Sequence, residues 1–539
     1  MKIQYKYVMA DTYFTEEQLK SLPVDTLVTI TMTLQNNVID LKRSVDQLTE
    51  QIRIMNQRMY GRKTEKESLL YKQEQLDLAF NETEVLADED SEDEEPELQV
   101  VCHKRQKGQK EESLKKITNH RDEYIELSEE ELEEKFGKNG WKKLPYQIVT
   151  KLEHIPASFE AVTYHIGVYA AKDNETIVRA EKPAELWEGS ICTPTLLASI
   201  MVAKFVNSLP LYRQEAAYKA NDVMISRRTM ASWIIRAYDR YLQYFYNAMK
   251  KKLVQQTILH ADETPFLVTK DDRAAGSKSY MWVYCGGVEK ESENIILYDY
   301  CHTRGSDNPR RFLSEFKGIL ITDGYQAYHK LEKENPESFT VAGCWVHAKR
   351  KFSEIIKADK KGSKEYTLAH QAETKIQRIY HEDNKLSELT VEERYQQRQK
   401  KISPLVDTYF TWLKKQETYV AKESATGKAI AYSLNQEKYL RVFLSDGRIP
   451  LDNNLAEQKI RNFTIGRKNW VMVDTKSGAE ASAAMYSIVE TAKANNLKMY
   501  DYLVYLLTEL SKIIHDFCTE VPERLLPWSS ELPDNLYKK

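Results

Sequence analysis

A chain of 539 residues is longer than a single hydrophobic core sustains, so three or four modules are expected. Apolar residues make up 42% and aromatics 10%, enough for globular domains, and 78 Lys and Arg against 81 Asp and Glu leave a formal charge of −3. Net charge therefore excludes a globally basic nucleic-acid binder, and any basic surface must be local. The six cysteines (102, 192, 285, 301, 344, 518) form no C-x-x-C pair, which speaks against a disulfide framework or a zinc ribbon and fits a reducing cytosol. The N-terminus has no secretory apolar region, and the longest apolar run, residues 196–206, is too short for a bilayer and carries Lys204. A soluble, intracellular protein without membrane partners is expected.

After an N-terminal segment (1–25), apolar residues fall at Leu34, Val38, Leu41, Val45, Leu48, Ile52, Met55 and Met59. This 4-3-4-3 spacing is a coiled-coil seam, placed within residues 26–75, and predicts a homodimer or larger assembly. An amphipathic helix packed on its own protein would show a wider stripe drifting toward period 3.6. Residues 76–115 form a linker with an acidic block (83–97) and a basic block, HKRQKGQK (103–110), whose Lys104 and Arg105 suit phosphates without sequence preference. Short alternating apolar stretches in 145–180 suggest a small β-rich module, bounded here as 116–185.

Residues 186–248 contain LPLYRQEAAYKANDVMISRRTMASWIIRAYDRY (209–241), which reads as two helices and a tight turn. Ala216, Ala217 and Ala220 are small enough for close packing, Asn221 and Asp222 break the first helix, and Ser226 can cap the second. Met230, Trp233, Ile234, Ala237 and Tyr238 make one apolar face, while Arg227, Arg228, Thr229, Ser232 and Arg236 look away from it. A helix-turn-helix would set those polar residues in a DNA major groove. An ordinary helical hairpin with a solvated basic face is the alternative.

From residue 257 short strands take over: TILHADETPF (257–266), SYMWVYCGG (279–287) and NIILYDYCHT (294–303). A short helix (309–316), a strand Ile319–Ile321, a further helix and a strand in FTVAGCWVHA (339–348) follow, describing a mixed α/β sheet. Asp262 is expected to end the first strand and Asp323 the fourth, so both carboxylates can converge on one point. Together they repel unless cations lie between them, and oxygen ligands of this kind suit Mg²⁺. Two such ions can stabilise the attacking and leaving oxygens of a phosphoryl displacement.

The best third carboxylate is Glu457, in a helix expected to start at Pro450 with Asp452 as its cap. Asn453, Asn454, Glu457 and Arg461 are expected on one face of that helix, and a plain Glu457–Arg461 ion pair is the competing reading. His260 shares the Asp262 face and is expected to orient it, while Glu263 turns to the opposite face as a hydrogen-bond partner. Cys344 and His347 form a C-x-x-H at the end of the fifth strand, read as support for the site floor. Arg467 and Lys468 could grip DNA near the cut, and Trp470 could stack on it or fill the core.

The ordered set ADET, TDGYQAY, CWVHAKRKF, DNNLAEQKIR and IGRKNW resembles the DDE transposases of bacterial insertion sequences, most closely the insertion-sequence-sixty-six group of the transposase C type. MYGRKTEK (59–66), LPLYRQ (209–214) and Leu525–Trp528 are similar to further segments of that group in the same order. The resemblance implies a ribonuclease-H-like catalytic domain (249–354 and 436–485), a helical insertion (355–435) and a C-terminal helical segment (486–539). It implies Asp262, Asp323 and Glu457 as a catalytic, metal-binding triad with two Mg²⁺ ions, Mn²⁺ being an alternative. Partners would be the terminal inverted repeats and target DNA as double strands, with accessory proteins of the same element as further candidates, and the site of action the bacterial cytoplasm and nucleoid. Relatives commonly carry a cysteine-rich zinc module where residues 116–185 have no cysteine, so no structural zinc is expected. A junction-type nuclease of the same fold and a non-catalytic or domesticated DNA-binding regulator are the rival readings.

Overall fold

The computed structural model describes residues 23–33, 35, 130, 159–170, 177–179, 185–274, 276–287, 293–358, 367–513 and 520–538. Residues 24–33 are helical, whereas the seam from Leu34 to Met59 and the linker with Lys104 and Arg105 lie outside the described residues. Within the expected small module, β1 (Val168–Ala170) and β2 (Ile177–Arg179) form an antiparallel hairpin with Tyr169 opposite Val178. Among the described residues no helix is long and apolar enough to cross a membrane.

Between residues 194 and 253 four described helices lead into the main sheet: α1 (Pro194–Phe205), α2 (Leu211–Lys219), α3 (Arg227–Ala237) and α4 (Gln243–Leu253). Ser226 caps α3 by accepting from the Thr229 amide at 3.1 Å, and Asp222 takes a left-handed φ of 60° in the turn. Met230, Trp233, Ile234 and Ala237 are buried, with Arg227, Arg228, Thr229, Ser232 and Arg236 exposed, as the periodicity indicates. The alanines behave differently from expectation: Ala216, Ala217 and Ala220 are exposed. Gln214 is the residue α2 buries, because its amide donates to the Leu209 carbonyl (3.0 Å) and so sets which face turns inward.

The central sheet is mixed, with order β5-β4-β3-β6-β7. It comprises β3 (Ile258–Lys270), β4 (Lys278–Cys285) and β5 (Ile296–Cys301), then, after α5 (Asp307–Phe312), β6 (Gly318–Thr322), α6 (Gln326–Glu334) and β7 (Phe339–Gly343). The first three strands meander antiparallel, and β6 and β7 join in parallel, as expected for strands separated by helices. Two boundaries differ from the sequence reading. Strand β3 continues eight residues past Asp262, held by β4 as far as Leu267, so Asp262 lies in mid-strand. The fifth strand stops at Gly343, where a Cβ would press on Tyr439 and the Leu440 backbone, and helix α7 (Trp345–Ala358) begins at once. Cys344 is therefore a junction residue and His347 is helical.

The insertion is helical, as its composition implies: α8 (Leu368–Asn384), α9 (Val391–Gln397), α10 (Ser403–Glu417) and α11 (Ala425–Asn435). Its core includes Ala372, Ile376, Tyr409 and Phe410 and merges with Ile258 and Ile321 of the sheet, so it is fused to β3 and β6. After it come α12 (Asn454–Trp470), β8 (Met472–Thr475), α13 (Lys476–Ala494) and α14 (Met499–Ile513). Helix α13 runs through the expected boundary at 485 and shares one core with α1, α3, α4 and β5. Its Ser487 and Thr491 hydroxyls accept from the Tyr298 and Ile296 amides (2.8 and 3.0 Å), satisfying the outer edge of β5.

Inside the insertion, Arg398 is wholly buried and bonds Asp383 through Nε (2.7 Å) and Nη2 (3.0 Å). Its Nη1 donates to the carbonyls of Phe443 and Asp446, tying the insertion to the segment that leads into α12. Asp383→Ala would strand this guanidinium without its anion, and the expected loss is about 3–5 kcal/mol. Urea unfolding measures it; a loss under about 1 kcal/mol would mean that Arg398 does not depend on the pair.

Candidate active site

The site grows from strand register. His260 of β3 pairs with Ile321 of β6 in parallel, and Asp262 and Asp323 each follow two residues later. Strands in a sheet lie about 5 Å apart, so the two carboxylates leave the backbone at the same level on neighbouring chains. Beyond Thr322 β6 has ended, and β3 regains a partner on that edge only at Leu267, opposite Met472 of β8. Residues 261–266 therefore have an open edge, and Pro265, which lacks a donor, falls within it.

Helix α12 closes that gap. At its start the Asn453 amide donates to the Ala261 carbonyl at 2.8 Å, and near its end Arg467 donates to Thr264 Oγ1 at 3.2 Å and to the Pro265 carbonyl. Val471, at φ 61°, turns the chain from α12 into β8, a conformation that costs a β-branched residue about 1–3 kcal/mol. Glu457 sits one turn into this doubly anchored helix.

Several expectations are corrected here. The helix begins at Asn454, and Asp452 contributes an Asx-type turn, its Oδ1 accepting from the Asn454 amide at 3.2 Å. Asn453 is fully buried and departs from the face that Asn454, Glu457 and Arg461 share along the helix. The reason is that Asn453 precedes the helix and is consumed by β3. His260 turns to Asn453, with Nδ1 2.8 Å from Oδ1, rather than bonding Asp262. Since the Asn453 amide nitrogen is spent on Ala261, its oxygen must accept, which puts the imidazole proton on Nδ1. Arg467 is engaged by β3 and Trp470 packs edge-on against Phe463 (5.6 Å) at the core, leaving Arg461 and Lys468 as the exposed cations of α12.

Charge is strongly felt around the triad. Burial, then Glu263, then Asp323 push the Asp262 carboxyl well above its ordinary range, with Glu457 adding to the effect. Burial and Asp323 push Glu263 up to about 7 against the pull of Arg304 and Tyr328. Burial also raises Glu457, but His347 and Arg350, each 3.2 Å away, outweigh it and hold the carboxyl below its usual range. Arg350, on the same face of α7 as His347, was not singled out in the sequence; the i,i+3 spacing within CWVHAKRKF was the available signal. Cys344, its thiol pushed up to about 12 by burial, accepts from the Asn453 backbone amide at 3.3 Å.

Among the described residues no three His, Cys, Asp or Glu side chains are gathered closely enough to enclose a metal ion as they stand. The donor chemistry nonetheless fits a hard divalent cation: Asp262 and Asp323 offer oxygen ligands, and Asp262 is disfavoured as an anion by its carboxylate neighbours. Glu457, turned to His347 and Arg350, would have to exchange these partners to join them.

The buried imidazole makes a pH prediction. Burial lowers His260 from 6.5 to about 4, the bond to Asn453 opposing it. The unfolded chain thus binds the extra proton, and this residue withdraws stability as pH falls from about 6.5 to about 4. Urea unfolding across that interval should be less steeply pH-dependent for His260→Gln than for wild type. Equal slopes would exclude His260 as the source.

Comparison with known proteins identifies the family. The model of the transposase IS66 family matches residues 189–481, just over half of the chain, and that of the transposase C of IS166 homeodomain matches 47–120. The uncharacterized protein y4qI of Sinorhizobium fredii is 29% identical over 498 residues, covering 89% of this chain and 88% of its own. A second uncharacterized protein of that organism, y4hP, is 27% identical, covering 73% and 72%. The family match runs from ahead of the helix-turn-helix, through the sheet that carries Asp262 and Asp323, to the helix that carries Glu457, and the chain belongs to the IS66 transposase family.

Proposed function

We propose that this protein is a DNA transposase that cuts at the terminal inverted repeats of an insertion sequence and joins the freed end to target DNA. The observation that carries the reading is the placement of Asp262 and Asp323 at one level of adjacent strands, with the helix of Glu457 anchored on the same strand. The mixed sheet, its helical insertion and its final helix are what a ribonuclease-H-like catalytic domain requires. The three carboxylates would hold two Mg²⁺ ions, or Mn²⁺, which when bound neutralise charge developing on the phosphate and lower the pKa of the attacking water.

The remaining chemistry belongs to the chain. Water adds to phosphorus at the element end, the bond to the bridging 3′ oxygen breaks, and that oxygen leaves as a 3′-hydroxyl. The same hydroxyl then attacks a target phosphodiester and displaces a second 3′ oxygen. His347 and Arg350 hold Glu457 as an anion until substrate enters, which keeps a ligand ready without a proton to remove. Helix α3 offers Arg227, Arg228, Thr229 and Arg236 on its solvent face to the repeat, with Arg461 and Lys468 of α12 nearer the cut. Lys104 and Arg105 would add sequence-independent affinity, and the coiled coil would pair subunits.

Asp262→Asn and Asp323→Asn should each lower cutting of an end-bearing duplex by about 1,000-fold or more while leaving its binding near wild type. A wild-type protein that binds the duplex in Mg²⁺ and never nicks it would favour the DNA-binding regulator instead. Arg228→Ala should weaken repeat binding and reduce the slope of log affinity against log salt by about one. An unaltered slope would remove α3 from the interface.

A further inference from the structure

We propose that Arg304 is a DNA-binding residue of the reaction centre, gripping a phosphodiester beside the one that is cut; the inference rests on the proposed function. Glu263 follows Asp262 in an extended strand, so the two side chains leave opposite faces of β3. Helix α12 stands on the Asp262 side through Asn453, whereas the Glu263 carboxylate meets the loop after β5 and helix α6. Arg304, in that loop, donates to Glu263 Oε1 through Nε (2.8 Å) and Nη2 (2.6 Å), and the Tyr328 hydroxyl reaches Oε2 at 3.4 Å.

The same guanidinium lies over the Tyr325 ring, 4.0 Å from its centroid. The Tyr325 hydroxyl donates to the Arg304 carbonyl (2.6 Å), and its backbone amide donates to Asp323 Oδ1 (3.1 Å). Arg304 is thereby fixed by a carboxylate, a ring and a loop hydrogen bond, all within the residues that adjoin Asp262 and Asp323.

A guanidinium needed only to neutralise a buried acid can be buried with it, as Arg398 is with Asp383. Arg304 is instead 46% exposed while its acid is 1% exposed, and Nη1 has no hydrogen-bond partner among the described residues. Asp262 feels the negative charge of Glu263, Asp323 and Glu457. A polyanion approaching them needs local cations, and Arg350 is already committed to Glu457. The unspent edge of a guanidinium held rigid by stacking is suited to a phosphate oxygen, and its stiffness lowers the entropy lost on contact.

The test uses the full-length protein, Mg²⁺ and a duplex carrying one end of the element, read separately as equilibrium binding and single-turnover cutting. Arg304→Gln should bind several-fold more weakly than wild type and, at saturating protein, cut about 100-fold more slowly, with Arg304→Lys intermediate. Replacing one phosphodiester at a time near the cut with an uncharged methylphosphonate should reveal a linkage whose neutralisation slows wild type about tenfold or more and Arg304→Gln not at all. Should Arg304→Gln fail to fold, Arg304→Lys carries the same comparison, with a reduced response at that linkage expected. The inference is overturned if every neutral linkage slows variant and wild type by equal factors. It is overturned equally if the double variant Arg304→Gln/Glu263→Gln regains the wild-type rate, since Arg304 would then serve only the buried acid. Wild-type protein that binds and never cuts would sink the proposed function, and this inference with it, which separates the two failures.

Discussion

The structure turns on one buried amide. The Asn453 side chain accepts a hydrogen bond from His260 and donates one to the Ala261 carbonyl, and its backbone amide donates to Cys344, so three separated segments meet at a single residue. Each group is cut off from water, and leaving any one unpaired costs about 1–3 kcal/mol. Satisfied together, they fix where α12 starts and how it is turned about its axis. That orientation is what brings Glu457, far along the chain from Asp262, back to the strand that carries Asp262.

Everything else can be seen as making that junction stiff. Ile258 and Ile321 bury their side chains in the insertion, so β3 and β6 cannot slide without disturbing its helices. Arg398 ties the same insertion to residues 443–446, just ahead of α12. On the other side, Lys459 and Asn462 of α12 reach Glu490 of α13, buried at 1% exposure, at 3.4 and 2.8 Å. The insertion therefore buttresses β3, β6 and the segment leading into α12, and the long stretch between Asp323 and Glu457 is its material.

The strands, the two helices around the Asn221–Asp222 turn and the strand positions near both aspartates were legible because they depend on local pattern: period-two burial, a serine cap, an acidic residue after an apolar run. Asp262 showed itself as a costly residue in an apolar strand. What could not be read is what depends on contacts distant in sequence. The length of β3 is set by β4 and β8, so Asp262 lies in mid-strand rather than at the strand end. Ala216 and Ala217 looked like packing residues, but Gln214, held by carbonyls before the helix, decides which face of α2 is inside. The partner of His260 lies 193 residues away, and no spacing announces it. Arg304 stands in a loop without any periodic signal, and only the fold places it beside Glu263.

The hydroxyls that α13 lends to β5 have a consequence for how copies of this chain can meet. With Ser487 and Thr491 occupying one outer border of the sheet, and the turn around Tyr439 and Leu440 pressed on Gly343 at the other, neither border invites a foreign strand. Edge-to-edge joining of two such sheets into one continuous ribbon is thus disfavoured, and each sheet remains a closed unit.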